Sequence, residues 1–337
     1  MKVVGYHMPL PITESESLLD LELPDPVPSG RDLLVQVKAV SVNPVDTKAR
    51  KRSVPKAGDI KILGYDAAGV VVATGAETSL FKPGDEVYYA GSTERPGSNA
   101  ELQLVDERIV GRKPASIGFA EAAALPLTSI TAWELLFDRF GVARGNRPAG
   151  ETLLIIGAAG GVGSIMIQLA RRLTALTVIG TASRPETTEW VRSLGAHHVV
   201  DHSWPLTEEL RHIGIPQVSH VASLTQTPLH FAEAAELLAP QGKFGLIDDL
   251  GPNDIGLLRR KSISFHWEYM FTRPLFATPD MIAQHRLLDE LADLIDAGTI
   301  RSTLEENYGR INAANLKRAH ALLESGKAMG KIVLEGW

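Results

Sequence analysis

Thr152-Leu153-Leu154-Ile155-Ile156-Gly157-Ala158-Ala159-Gly160-Gly161-Val162-Gly163, running on into Ser164-Ile165-Met166-Ile167-Gln168-Leu169-Ala170-Arg171-Arg172-Leu173, is the stretch on which the fold turns. Its first five residues form an apolar run of buried-strand length, and after the glycines the apolar residues return at helical period. A strand therefore feeds a helix through a glycine-rich turn. Ala158, Gly160 and Gly163 make an A-x-G-x-x-G variant of the dinucleotide fingerprint. Gly160 keeps a Cβ out of the path of an approaching diphosphate, and Gly163 lets the helix pack closely on the strand. The amides of Gly161, Val162 and Gly163 lie at the positive end of the helix dipole, where a diphosphate is favoured.

Strand and helix signals continue to alternate downstream. Residues 175–182 repeat the strand, 185–195 read as a helix with Pro185 at its start and Gly195 at its end, and 197–201 give another short strand. The pattern goes on through helical 206–214, strand 219–224, helical 228–240 and strand 243–248. This order specifies a parallel sheet covered on both faces, the doubly wound α/β architecture. Upstream, residues 1 to about 125 hold short β-branched runs broken by Gly and Pro, such as 33–42, 68–73 and 86–90, which predict a mostly β domain. Between Phe119 and Phe140 the spacing turns helical, with Leu125, Leu127, Ile130, Trp133, Leu136 and Phe137 on one face, and the crossover between domains is placed there. Past Arg260 the pattern loosens into 262–271, a helix near 279–298 and a final strand at 331–336.

Length and composition fit this division. A chain of 337 residues with 44% hydrophobic content has material for two cores. A net charge of -6 without runs of either sign argues against nucleic acid or an anionic membrane as the main partner. No signal-like leader or uninterrupted apolar span is visible, so a cytoplasmic, soluble protein is expected. There is no cysteine, which removes disulfides, thiolate metal sites and cysteine nucleophiles together. The histidines show no tight ligand spacing, and His197, His198 and His202 are read as structural or solvated.

An NAD site usually carries an acid about 20 residues beyond the fingerprint. Here the second strand ends in Gly180-Thr181-Ala182-Ser183-Arg184. A hydroxyl and a guanidinium there suit the extra phosphate of NADPH, which Arg184 can meet bidentately. The bland alternative is an N-cap serine and a solvated arginine before Pro185.

The turn at 158–163, GYDAAGVV at 64–71, FKPGDEVYY at 81–89 and GKAMGKIVLEG at 326–336 together resemble the medium-chain dehydrogenase/reductase superfamily over nearly the whole chain. NPVDTKAR at 43–50 and the AAGGVG form of the turn look like its quinone oxidoreductase branch, to which zeta-crystallin belongs. The resemblance implies a GroES-like, mostly β catalytic domain from residues 1–125 completed by 266–337, and a Rossmann NADP-binding domain at 126–265. It also implies a cleft between the two and, commonly, a homodimer. The zinc enzymes of that superfamily use cysteine and the histidine of a Gly-His-Glu motif. The matching tripeptide here is Gly64-Tyr65-Asp66, and a short stretch at 91–97 replaces the cysteine-rich structural lobe, so no metal is expected.

The resemblance nominates Asn43, Asp46 and Tyr65 as polar groups facing the substrate, and places Thr128 and Thr131 near the nicotinamide. Ordinary turn chemistry for Asn43-Pro44 and Asp46, and a packing role for Tyr65, remain open. The implied reaction is zinc-independent hydride transfer from NADPH to a quinone or similar electrophilic small molecule. An enoyl or alkenal double-bond reductase, or a noncatalytic NADPH-binding sensor or crystallin-like protein, are the rival readings. The aromatic run at 265–271 fits a cleft wall, a subunit edge or plain core.

Overall fold

The computed structural model describes residues 1–145 and 150–337 and divides into two units, Met1–Ile130 with Phe271–Trp337, and Thr131–Met270.

The second unit is built on a parallel six-stranded sheet. From one edge its strands are His198–Val200, Thr177–Thr181, Thr152–Ile156, Val218–Ser223, Leu238–Leu246 and Ser264–Trp267, the order 3-2-1-4-5-6 in chain sequence. Chain direction across the sheet reverses beside Thr152–Ile156, and ligands of such sheets bind at the carboxyl ends of the strands flanking that point. Leu153, Leu154, Ile155 and Ile156 are all buried, which explains an apolar run with no alternation. The helix Gly161–Leu173 buries Ile165, Met166, Ile167, Leu169 and Ala170 and leaves Arg171 and Arg172 in its last turn, opposite the negative end of its dipole. The next helix is Pro185–Ser193, and Gly195 at φ +103° turns the chain out of it.

The expected helix through residues 228–240 stops earlier, at Leu237. Leu238 already belongs to a strand, because Pro240 cannot continue a helix and Gln241 takes a left-handed φ of 65°.

In the first unit, Asp32–Val42 is the central strand of a seven-stranded sheet. It pairs antiparallel with Ala67–Thr74, with Leu102–Asp106 and with the C-terminal strand Lys331–Glu335. The last residues of the chain thus complete a sheet begun by its first forty. Val35, Val37, Val40, Val71, Val87, Ile332 and Leu334 supply its core. Two helical readings change. Residues 119–140 form Phe119–Ala123, Pro126–Trp133 and a wider π turn at Glu134–Arg139, with Pro126 separating the first two. Asn43-Pro44 begins a helix, Pro44–Arg52, with Asn43 as its N-cap and proline at the first helical position, where no donor is lost. No helix among the described residues is long and apolar enough to cross a membrane.

Candidate functional site

The glycine turn is stereochemically committed. Gly157 leaves the first strand at φ +86°, and a Cβ there would lie 2.8 Å from Thr225 Cγ2. Its N–H donates to Thr181 Oγ1 at 3.1 Å, tying the turn to the second strand. A Cβ on Gly163 would sit 2.6 Å from Ala158 Cα and from the carbonyl oxygens of Ala158 and Gly157, so only glycine lets the helix approach this closely. A Cβ on Gly160 would meet only the Gly157 carbonyl, at 3.5 Å, and the space over the turn is open. Ala158 is fully buried, and a Cβ on Gly180 would come within 2.9 Å of its methyl. The residues at 157–163 therefore fit a dinucleotide diphosphate: an open approach, a helix N-terminus beyond it, and no side chain in the way.

At the second strand's tip, Ser183 is exposed and Arg184 partly so. Arg184, not Ser183, is the N-cap of Pro185–Ser193; its N–H donates to Thr187 Oγ1 at 3.2 Å, and the Thr187 hydroxyl donates back to the Arg184 carbonyl at 2.9 Å. The guanidinium lies 3.3 Å from Glu186 in an exposed pair. Thr128 and Thr131 are 2% and 4% exposed, and the Thr128 hydroxyl donates to the Leu125 carbonyl one turn back. His197 is structural: Nδ1 accepts from the Val178 N–H at 2.9 Å and Nε2 lies 2.7 Å from Arg171.

The first unit holds a buried polar cluster that includes two of the three nominated residues. Asn43, Asp46, Asp66 and Lys331 are each 3% exposed or less. Asp46 accepts the Asn43 N–H at 2.8 Å and the Gly64 N–H at 3.0 Å. Asp66 accepts the Leu127 N–H at 2.7 Å, the Asn43 amide at 2.8 Å and Lys331 Nζ at 2.9 Å, while Lys331 also donates to the Asn43 side-chain oxygen. Burial pushes the Asp46 carboxyl up to about 7, against the opposing pull of the two backbone donors and Lys331. Burial raises Asp66 as well, with Lys331 the largest counterweight. Tyr65 stands between these clamped neighbours, 2% exposed, its ring edge-on to Phe271 at 5.4 Å.

Asp66 and Lys331 escaped the sequence reading as site residues. Their signal was a charge inside or flanking an apolar run, in GYDAAGVV and GKIVLEG. The aromatic run divides: Phe271 is core, Phe265 stacks on Phe244 at 5.8 Å, and Trp267 is 56% exposed on the sheet's edge strand. Among the described residues no three His, Cys, Asp or Glu side chains converge as a metal site. With a phenol in place of the imidazole, no thiol in the chain and both nearby carboxylates already accepting backbone donors, this donor set does not fit zinc.

Two family models match the chain: residues 29–133 fit an alcohol dehydrogenase GroES-like domain, and residues 194–334 a zinc-binding dehydrogenase. A zinc-type alcohol dehydrogenase-like protein of Staphylococcus aureus (strain MSSA476) is 42% identical over 338 residues, covering 99% of each chain. Among solved structures, a Rhizobium etli CFN 42 protein provisionally named a zinc-dependent alcohol dehydrogenase superposes with a TM-score of 0.96 at 60% identity, covering 100% of this chain and 98% of that one. Escherichia coli quinone oxidoreductase complexed with NADPH shares the fold, with a TM-score of 0.84 at 24% identity over 99% of this chain and 100% of its own. An NAD(P)-binding sheet with a glycine turn at its switch point, a GroES-like unit closed by both chain ends, and end-to-end similarity to these proteins make the chain an oxidoreductase of the medium-chain dehydrogenase/reductase superfamily, one whose zinc-ligand positions lack donors.

Proposed function

We propose that this chain is a zinc-independent, NADPH-dependent reductase of quinones or similarly electrophilic carbonyl compounds. The observation that carries the reading is the turn at 157–163, where Gly163 is forced by backbone contact while the approach over Gly160 stays open. The amides of Gly161, Val162 and Gly163 would hold the diphosphate, and Ser183 with Arg184 would hold the phosphate on the adenosine ribose. When bound, the reduced nicotinamide supplies the hydride. A donor set unsuited to zinc offers no Lewis acid to polarise an unactivated carbonyl, which favours an acceptor already electron-poor. Asn43 and Asp46 act by holding the segment that carries Tyr65, since their polar atoms are engaged by Asp66, Lys331 and the Gly64 amide. The NADPH complex of the E. coli quinone oxidoreductase supports the cofactor by likeness of fold. The edge strand Ser264–Trp267, with Trp267 exposed, supports pairing with a second copy of the chain, which sedimentation would test.

The test is oxidation of NADPH and NADH over a panel of quinones, cyclic enones and conjugated enals, with and without chelator. Turnover with NADPH and quinones, indifferent to chelator, is expected. In Arg184→Ala the preference for NADPH over NADH falls at least tenfold, the loss of about 1.4 kcal/mol expected from one charge-assisted contact. Binding of NADPH without oxidation by any acceptor would leave a noncatalytic role, and preference for enals would move the reading to a double-bond reductase.

A further inference from the structure

The glycine turn is held from behind by side chains that the cofactor reading does not use. Ser164 follows Gly163 in the helix Gly161–Leu173 and is fully buried. Its hydroxyl accepts the indole N–H of Trp190, from the helix Pro185–Ser193, at 2.8 Å. It donates in turn to the Ala159 carbonyl, at a longer 3.4 Å. A serine inside a helix ordinarily turns its hydroxyl to the carbonyl four residues back. Here it reaches one residue further, to a carbonyl of the turn itself.

The peptide between Ala159 and Gly160 is thereby held at both ends. Its oxygen takes the Ser164 hydroxyl, and its N–H donates to the Gly157 carbonyl at 3.2 Å. This is the plane that leads into Gly160, over which the approach is open. A carbonyl oxygen repels an anion, so a plane free to swing would set an acceptor against the diphosphate that the neighbouring amides attract. A plane already fixed spares the ligand the cost of ordering it.

Trp190 can hold the hydroxyl because its helix is packed against the same strand as the turn. Val191, the next residue, is fully buried, and a Cβ on Gly180 would come within 2.7 Å of its Cγ1. That same Cβ would come within 2.9 Å of the Ala158 methyl, so helix and turn both close on one residue of the strand Thr177–Thr181. An indole N–H is a donor only. Without it, the Ser164 hydroxyl is free to turn back to the Gly160 carbonyl, the ordinary partner of a helical serine.

We infer that Trp190, acting through Ser164, is a positioning residue of the cofactor site: it holds the Ala159–Gly160 peptide so that the turn presents amides and no carbonyl to a diphosphate. This rests on the proposed function only in taking the ligand of the turn to be NADPH.

Two variants test it. Trp190→Phe keeps a ring in place and removes the N–H, and Ser164→Ala removes the hydroxyl that relays it. NADPH binding to the full chain is measured by calorimetric titration, and the phosphorus NMR signals of bound NADPH are recorded for the parent, both single variants and the double variant. Each single variant is expected to bind NADPH about fivefold more weakly, the equivalent of one neutral hydrogen bond, and the double variant no more weakly than either. The diphosphate signals shift between parent and variants while the signal of the phosphate on the adenosine ribose stays in place, a local signature that lowered stability alone would not give. Unchanged affinity in either single variant, losses that add in the double variant, or a shift at the ribose phosphate as large as at the diphosphate overturns the inference and leaves the proposed function standing. A parent chain that binds no NADPH sinks the proposed cofactor, and the inference with it.

Discussion

Asp46→Asn tests the buried cluster through the pH dependence of stability. In the folded chain the Asp46 carboxyl lies at about 7 rather than its ordinary 3.8, chiefly because burial disfavours the charge. At 1.36 kcal/mol per pH unit, that displacement corresponds to about 4 kcal/mol. The sign follows from proton binding: the folded state holds this proton more tightly than the unfolded chain. The group's contribution is fully present below about pH 4 and is lost as pH rises through 7. Asparagine cannot ionise, so the variant lacks this loss. It does keep only one acceptor oxygen for two buried donors, the N–H groups of Asn43 and Gly64. One orphaned donor costs about 1–3 kcal/mol at every pH. The variant is therefore expected to be less stable than the parent at pH 4 by about that amount, and equal to it or more stable at pH 8. Urea titrations of both chains at half-unit intervals between these limits give the difference directly, and groups common to both cancel. A difference that stays constant across the range would refute the reasoning, because Asp46 would then titrate where an exposed carboxylate does.

Gly160→Val is expected to fold as the parent does, since its Cβ meets only the Gly157 carbonyl, at an ordinary contact distance of 3.5 Å, yet to lose NADPH affinity at least tenfold in fluorescence titration. Gly163→Ala, whose Cβ would strike backbone at 2.6 Å, should in addition lower stability by about 1–3 kcal/mol, and a melt of each variant separates the two effects. Lys331→Met strands the Asp66 carboxylate and should cost about 3–5 kcal/mol, most of it recovered in Lys331→Met/Asp66→Asn; a double variant no more stable than the single would refute the pairing.

How much of this was legible depended on whether the deciding interaction was local. The alternation from Thr152 to Leu246 could be read because each strand of a parallel sheet is buried on both faces and each crossover helix carries its own period. Gly195 could be read as a stop because only backbone conformation is at stake there. The helix Pro44–Arg52 could not: Asn-Pro-x-Asp starts a turn as readily as a helix, and the residues that follow are mostly charged. Arg50, the fully buried member, faces inward to Glu324 and the Leu10 carbonyl, partners that no window of sequence contains. The break at Pro126 was readable in principle but was overridden by the apolar spacing around it.

The buried cluster is the extreme case of that rule. Asp66 and Lys331 are 265 residues apart, and what joins them is the antiparallel pairing of Lys331–Glu335 with Asp32–Val42. That pairing is itself an outcome of apolar faces seeking the same core. Sequence shows two charges at the margins of apolar runs; only the sheet makes them neighbours. The same geometry explains why the tyrosine at position 65 is more than a missing ligand. Its flanking residues are held by Asp46 on one side and by Leu127, Asn43 and Lys331 on the other. Restoring an imidazole at 65 alone would meet carboxylates that already have backbone and lysine partners and a chain without a thiol. The departure from zinc chemistry is thus written into the surrounding hydrogen bonds and not into one residue.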